Sequence, residues 1–406
     1  MKHWMQAMKT EILFFVPEWP ALDNSILHAQ VLSVASFLNR EGFSCRFAGA
    51  ETSPSRAQKA VDMIASQYGI QADVAPALSP QAGAFGYWRS CWHLYDHMRV
   101  KLKDIPITHI YARSFIGSMW GRRLARRLKA KSIFDVRGVV GLEHQLNMGS
   151  NIKSRVISYL ERQECRRADR LATVSQNLEM RLRQLTGRSD MVVIPSCVDE
   201  NRFSFDSSAR SELRAALGLD ETSILLCYSG GTSAWQRIGD IVSLLKQVCL
   251  ADPQCKALFL TTSLEEVSRR LKEEQFPAGQ AFVLGAPHNE VHRYLSAADV
   301  GFIMRHDTTV NNVASPVKIG EYLACGLPVI LTRGIGDYSD MLPAAGAGML
   351  LDESADMGTQ ILHFIHRDNF SYLRNKAIGL ARNRLTMSAN LSQYRSLYSE
   401  NNPIGS

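Results

Sequence analysis

Ser315-Pro316-Val317-Lys318-Ile319-Gly320-Glu321-Tyr322-Leu323-Ala324-Cys325-Gly326-Leu327-Pro328-Val329-Ile330-Leu331 spells a helix running into a buried strand. Ser315 offers a hydroxyl to the orphan N–H groups of a helix start. Pro316 suits the first helical position, where a missing N–H costs nothing. Gly326 and Pro328 stop the helix after about three turns. A short helix that starts at a ligand site presents unpaired N–H groups and its positive dipole end to a phosphate. Lys318 adds a full charge there. Glu321, one turn deeper, has a carboxylate able to accept from two ribose hydroxyls. The same spacing also describes a core helix with Lys and Glu on its outer face.

Outward from this stretch, apolar runs alternate with helical periodicity. Ile12–Val16, Cys45–Ala48, His109–Ala112, Ser132–Val136, Arg170–Val174 and Met191–Ile194 read as strands. Ile26 to Asn39 follows the first of them with helical spacing. The pattern restarts with Ser223–Tyr228, Ala257–Thr261, Ala281–Leu284, Val300–Ile303 and Val329–Leu331. Such alternation predicts parallel sheets with helices on both faces. The expected architecture is α/β: two doubly wound domains facing each other across a cleft. The first spans residues 1–197, completed by a C-terminal helix within 386–406, and the second spans 198–385.

The 406 residues suffice for two full cores, and 46% hydrophobic with 21% charged residues is ordinary for a globular chain. No apolar run approaches the ~20 residues that span a bilayer. The first ten residues lack the apolar centre of a signal peptide. Eight cysteines without a Cys-x-x-Cys pair fit reduced thiols, and the expectation is a cytoplasmic protein. Charge is uneven: residues 1–197 carry 27 Lys+Arg against 16 Asp+Glu, and the remainder carries 19 against 23. The basic half calls for an anionic partner.

The wording of 315–331 resembles the nucleotide-sugar motif of the retaining GT-B glycosyltransferases, family 4 above all, whose members show Pro-x-Lys-x-x-Glu-Tyr-x-Ala-x-Gly-x-Pro-Val. The resemblance implies a donor nucleoside diphosphate sugar, with Glu321 on the ribose and the backbone of Ser315, Pro316 and Val317 on the diphosphate. Many members carry a second Glu eight residues upstream, against the donor sugar. Val313 stands there in this chain, and Asn311 and Asn312 are the residues able to replace its hydrogen bonds.

Other stretches follow from the same resemblance. Tyr228-Ser229-Gly230-Gly231-Thr232 links a strand to a helix and faces the donor phosphates in relatives. It is not the Gly-x-Gly-x-x-Gly of a nicotinamide site. Arg237 matches the basic residue after that loop, and with Lys318 it would clamp the leaving diphosphate; alone, it also reads as a solvated helix residue. Ala286 and Pro287 match the turn that reads the nucleobase, and His288 a helix start. Asp169, Asp299 and Pro195-Ser196-Cys197-Val198-Asp199 match structural positions.

On the acceptor side, Phe134-Asp135-Val136-Arg137 ends a strand where many members place a site His. Arg137 could contact donor or acceptor, or pair with Asp135. Glu143 or His144, in the following loop, could take a proton from the acceptor hydroxyl. Arg113 lies at another strand end, and Trp19 either lines the acceptor site or packs its loop. Trp88, Trp92, Tyr95 and Arg99, with Arg122, Arg123, Arg126 and Arg127, describe either a membrane-facing surface or solvated helices.

The expected function is a hexosyltransferase-type transfer from a nucleoside diphosphate sugar to a hydroxyl acceptor with retention. The acceptor would be a lipid-linked or polysaccharide glycan of the cell envelope, met at the inner face of the plasma membrane. No cofactor is expected, and no Asp-x-Asp suggests a metal. A nucleotide-sugar 2-epimerase and a non-catalytic binding subunit are the alternatives. No aromatic-basic motif supports nucleic-acid binding.

Overall fold

Each apolar run named above becomes a strand in the computed structural model, which describes residues 10–77, 83–149, 151–287, 289–367 and 369–399. Residues 1–9 and His288 lie outside the described residues. The chain divides into two units. One holds the residues up to Ile194 together with those from Leu391 onward, and the other holds Pro195–Asn390. The first unit therefore ends before 197, and its C-terminal segment begins at 391 and not at 386. Val198 explains both shifts. Its N–H donates to Leu385 O (2.8 Å) and it bridges Thr386, which keeps both segments in the second unit.

The N-terminal unit is a seven-stranded parallel sheet: β1 (Glu11–Pro20), β2 (Ser44–Ala50), β3 (Gln71–Ala75), β4 (His109–Ala112), β5 (Lys131–Val136), β6 (Arg170–Thr173) and β7 (Met191–Val193), in the order β3-β2-β1-β4-β5-β6-β7. The helix expected over 26–39 runs from Ser25 to Arg40, with a π turn at His28–Leu32. On one face of the sheet Leu13, Phe15 and Ala48 pack against Leu94, Met98, Trp120 and Leu124. The helix Leu391–Tyr398 belongs here: Tyr394 meets Phe37, and Tyr398 meets Phe43 and His109. Arg170 also donates to the carbonyls of Ser396 and Ser399.

The second unit is a six-stranded parallel sheet: β8 (Ile224–Ser229), β9 (Cys255–Leu260), β10 (Ala281–Leu284), β11 (Val300–Ile303), β12 (Val329–Leu331) and β13 (Gly348–Leu350), ordered β10-β9-β8-β11-β12-β13. β8 is buried along its whole length and feeds two cores by alternation. Leu225 and Cys227 face Ile319, Tyr322 and Leu323. Leu226 and Tyr228 face Ile241, Val242 and Leu245.

Asp169 and Asp299 have the structural work expected of them. Asp169 accepts from the N–H and hydroxyl of Ser132 at the start of β5. Asp299 accepts from the N–H of Leu225 in β8 and pairs with Arg210 and Arg214.

Candidate functional site

In each sheet the connections leave in opposite directions from one point, between β1 and β4 in the first unit and between β8 and β11 in the second. Ligands of open α/β sheets gather outside the C-terminal strand ends at such a point.

In the second unit, Gly230 follows β8 with φ of 152°. A Cβ there would fall on Lys318 Nζ, so glycine leaves room for the ammonium. The Tyr228 hydroxyl donates to Gly231 O (2.5 Å), and the Lys318 ammonium stands 5.5 Å from the centre of the Tyr228 ring. The Tyr322 hydroxyl accepts from Ser229 N–H (2.6 Å), fixing the helix Val317–Ala324 to the end of β8. Among the described residues Lys318 makes no ion pair. Burial lowers its pKa to about 8, with Arg305 acting in the same sense and Glu321 against it. Glu321 is 8% exposed, and burial raises its carboxyl to about 7 against the pull of Lys318 and Arg202.

Ser315 does not cap this helix. Its oxygen accepts from Ser196 N–H (3.0 Å) and bonds to the Tyr338 hydroxyl (2.9 Å). Pro316 therefore takes the cap position and Val317 opens the helix, with no side chain capping it. The helix covers just over two turns, and Gly326 follows it in the left-handed conformation that a helix stop requires (φ 80°).

Arg237, the other cation expected at the phosphates, is ion-paired in this structure. Its Nε donates to Asp240 (2.5 Å) and its Nη1 to Glu353 (2.6 Å), so two carboxylates match its charge. Arg305, just past β11, has no carboxylate partner among the described residues. Its Nε is buried without a hydrogen bond, and its Nη1 is 3.4 Å from Asn311 Oδ1. Its charge is felt at both Lys318 and Tyr228. The signal for Arg305 in the sequence is a basic residue directly behind a buried strand.

Asn311 is buried and donates to His306 O, Asn312 donates to Asp307, and Val313 is buried. Ala286 and Pro287 follow β10, two strands from β8 and so about 10 Å along the sheet. Pro287 O accepts from Glu290 N–H in a turn.

In the first unit, Trp19 near the end of β1 lies under the Arg113 guanidinium, 5.3 Å from ring centre to carbon. Asp135 pairs with Arg137 (2.6 Å) and accepts from the Tyr111 hydroxyl, so of the two readings of Arg137 the ion pair is present. Arg113 Nε is 3.9 Å from the same carboxylate. Glu18, which sequence reading missed, is buried against the Ser114 hydroxyl, and burial raises its carboxyl to about 7. Glu143 and His144 lie on the helix Val140–Met148 and not in a loop. Burial raises the Glu143 carboxyl, and His144 Nδ1 is buried with no partner among the described residues.

The proposed surface divides. Trp88 and Trp92 are 40% and 43% exposed, whereas Tyr95 packs on the core. Arg122 is buried in a two-pronged pair with Glu164, which leaves Arg123, Arg126 and Arg127 outside. No helix among the described residues is long and apolar enough to cross a membrane.

Known proteins share this architecture. Residues 27–197 match the glycosyl transferase 4-like domain, and residues 209–382 match glycosyl transferases group 1. Among solved structures, sucrose-phosphate synthase from Thermosynechococcus elongatus superposes with a TM-score of 0.74 at 16% identity, covering 96% of this chain and 98% of that one. HepE from Anabaena, in complex with UDP-glucose, gives 0.70 at 16% identity, covering 95% and 99%. WaaG, a glycosyltransferase involved in lipopolysaccharide biosynthesis, gives 0.65 at 12% identity, covering 96% and 99%. Curated protein sequences give no match.

Proposed function

Because the chain belongs to the family 4-like GT-B glycosyltransferases, we propose that its C-terminal unit holds a nucleoside diphosphate sugar and that its N-terminal unit binds the hydroxyl acceptor. The observation that carries the donor reading is the pair Lys318 and Arg305 at the Gly230 strand end, neither of which forms an ion pair among the described residues, Glu321 being the carboxylate that acts on Lys318. Two under-compensated cations at a sheet's switch point suit a polyanion. In this reading the ribose hydroxyls donate to Glu321, and the base lies toward Ala286 and Pro287. The diphosphate takes Lys318, Arg305 and the N–H groups at the start of the Val317–Ala324 helix. HepE binds UDP and UDP-glucose, which supports a donor of this class.

Transfer breaks the bond from the anomeric carbon to the phosphate oxygen and forms one to the acceptor oxygen. The negative charge that develops on the leaving phosphate is stabilised by Lys318 and Arg305, held in place before the reaction. With retention, the acceptor proton passes to that phosphate on the same face of the sugar, so cations at the phosphate matter more than a strong protein base. The acceptor is a lipid-linked or polysaccharide glycan. Trp88, Trp92 and the outer arginines Arg123, Arg126 and Arg127 are the surface available to an anionic membrane.

A thermal-shift screen with uridine, guanosine and adenosine diphosphates and their sugars, with and without EDTA, tests the donor assignment. A stabilised melting point with one base, unchanged by EDTA, is expected. No shift at millimolar ligand would remove the donor site. Hydrolysis or epimerisation of the stabilising sugar nucleotide without acceptor would replace transfer by another chemistry. The anomeric configuration of the product, read by NMR, decides retention.

A further inference from the structure

The N-terminal unit contains a buried charge that its described residues answer only in part. Arg113 follows β4 at the switch point, and its side chain is 7% exposed. Its Nη2 donates to Gln30 Oε1 (2.6 Å), from the π turn of the helix after β1. Nε and Nη1 are buried and meet no hydrogen-bond partner among the described residues. The nearest carboxylate, Asp135, is engaged by Arg137 and Tyr111, and at 3.9 Å it lies beyond hydrogen-bond reach of Nε. Two guanidinium groups thus share one carboxylate. Glu18 makes no hydrogen bond or ion pair to Arg113: its carboxylate accepts from the Ser114 hydroxyl, and burial raises it to about 7, which weakens its charge below neutral pH. Burying a guanidinium without pairing its donors is costly, and anionic oxygens are the groups that match it.

We propose that the β1–β4 switch point is an anion-binding site, at which the unused Nε and Nη1 donors of Arg113 take the oxygens of a phosphoryl or carboxylate group while Trp19 covers the guanidinium face. The anion belongs to the acceptor, which makes the acceptor an acidic molecule and not a neutral sugar. That last clause rests on the proposed function; the site itself does not, because it lies in the other unit from the donor residues. Trp19 and Gln30 supply the orientation: the ring of one lies 5.3 Å from the guanidinium carbon, within cation–π range, and the other accepts from Nη2.

Calorimetric titration of the full chain with pyrophosphate and with glucuronate, at constant ionic strength, tests this. Wild type, Arg113→Gln, Arg113→Lys and Arg305→Gln are compared. Arg305→Gln should keep an anion-binding event that both Arg113 variants weaken by about tenfold or more, while their melting points stay within a few degrees of wild type. The lysine variant keeps the charge and stem, so it guards against a glutamine variant that fails to fold. Pyrophosphate binding alone identifies a phosphoryl acceptor, and glucuronate binding alone a uronic acid. Identical titrations of wild type and folded Arg113→Lys with both anions would overturn the site. Loss of nucleoside diphosphate binding in wild type, with the Arg113-dependent event intact, would instead overturn the donor reading and leave this one standing.

Discussion

Glu321 and Lys318 hold opposite charges that burial opposes, and their titrations bracket a narrow window. Between the ordinary carboxyl value of 4.5 and about 7, folded Glu321 keeps a proton that the unfolded chain has released, so its contribution to stability falls as pH rises. Between about 8 and 10.5, folded Lys318 has lost a proton that the unfolded chain keeps, so its contribution recovers as pH rises. From this pair alone, the unliganded protein is least stable at pH 7–8. In the proposed donor site a nucleoside diphosphate needs both groups charged, so its affinity should peak in that same window and fall on either side. Calorimetry from pH 5.5 to 9.5 checks this, and Glu321→Gln should flatten the acid limb while lowering affinity about tenfold or more. An unchanged acid limb in that variant would remove Glu321 from the ribose. That Lys318 and Glu321 lie together was legible in the sequence because one short motif carries both. The nearness of Arg305 to Lys318 was not, because it depends on which strand lies beside β8. Nor was the neutralisation of Arg237 by Glu353, which stands 116 residues away.

At the level of strands and helices, the apolar content of each run decided what could be read. The strands that are continuous apolar runs were visible, the edge strands β7 and β10 among them. β3 and β13 were not: Gln71–Ala75 is broken by Gln71 and Asp73, and Gly348–Leu350 has only two apolar side chains. The π turn at His28–Leu32 was equally invisible, since no residue type in that stretch marks it. Asp299→Ala should cost about 3–5 kcal/mol, because it strands Arg210 and Arg214 and the N–H that opens β8. Urea unfolding measures this, and a loss below 1 kcal/mol would refute the anchoring role. Gly230→Ala works differently. It strains a φ of 152° at a cost of about 1–3 kcal/mol and displaces the Lys318 ammonium. Donor affinity should therefore fall even under conditions where the variant is fully folded by circular dichroism.

Across the whole chain, the two-unit plan was legible because the strand–helix alternation restarts after residue 198, and the basic character of the first half is a count anyone can make. The segment limits were harder, since a boundary is fixed by pairings such as that of Val198 with Leu385 and Thr386 and not by composition. Ending the chain after Asn390 removes the partners of Phe37, Phe43, His109 and Arg170 while leaving the second unit whole. Such a truncation should lower the melting of the N-terminal unit and leave nucleoside diphosphate stabilisation of the C-terminal unit in place, as a two-step calorimetric trace would reveal. The same helix imposes an order on synthesis. Residues 195–390 emerge as one contiguous segment and can close as soon as they leave the ribosome. The earlier-made unit must wait roughly 10–40 s for its last helix. Throughout that interval the faces of Phe37 and Phe43 stay open to chaperones or to other nascent chains, so the half of the protein translated first is the half most exposed to misassembly.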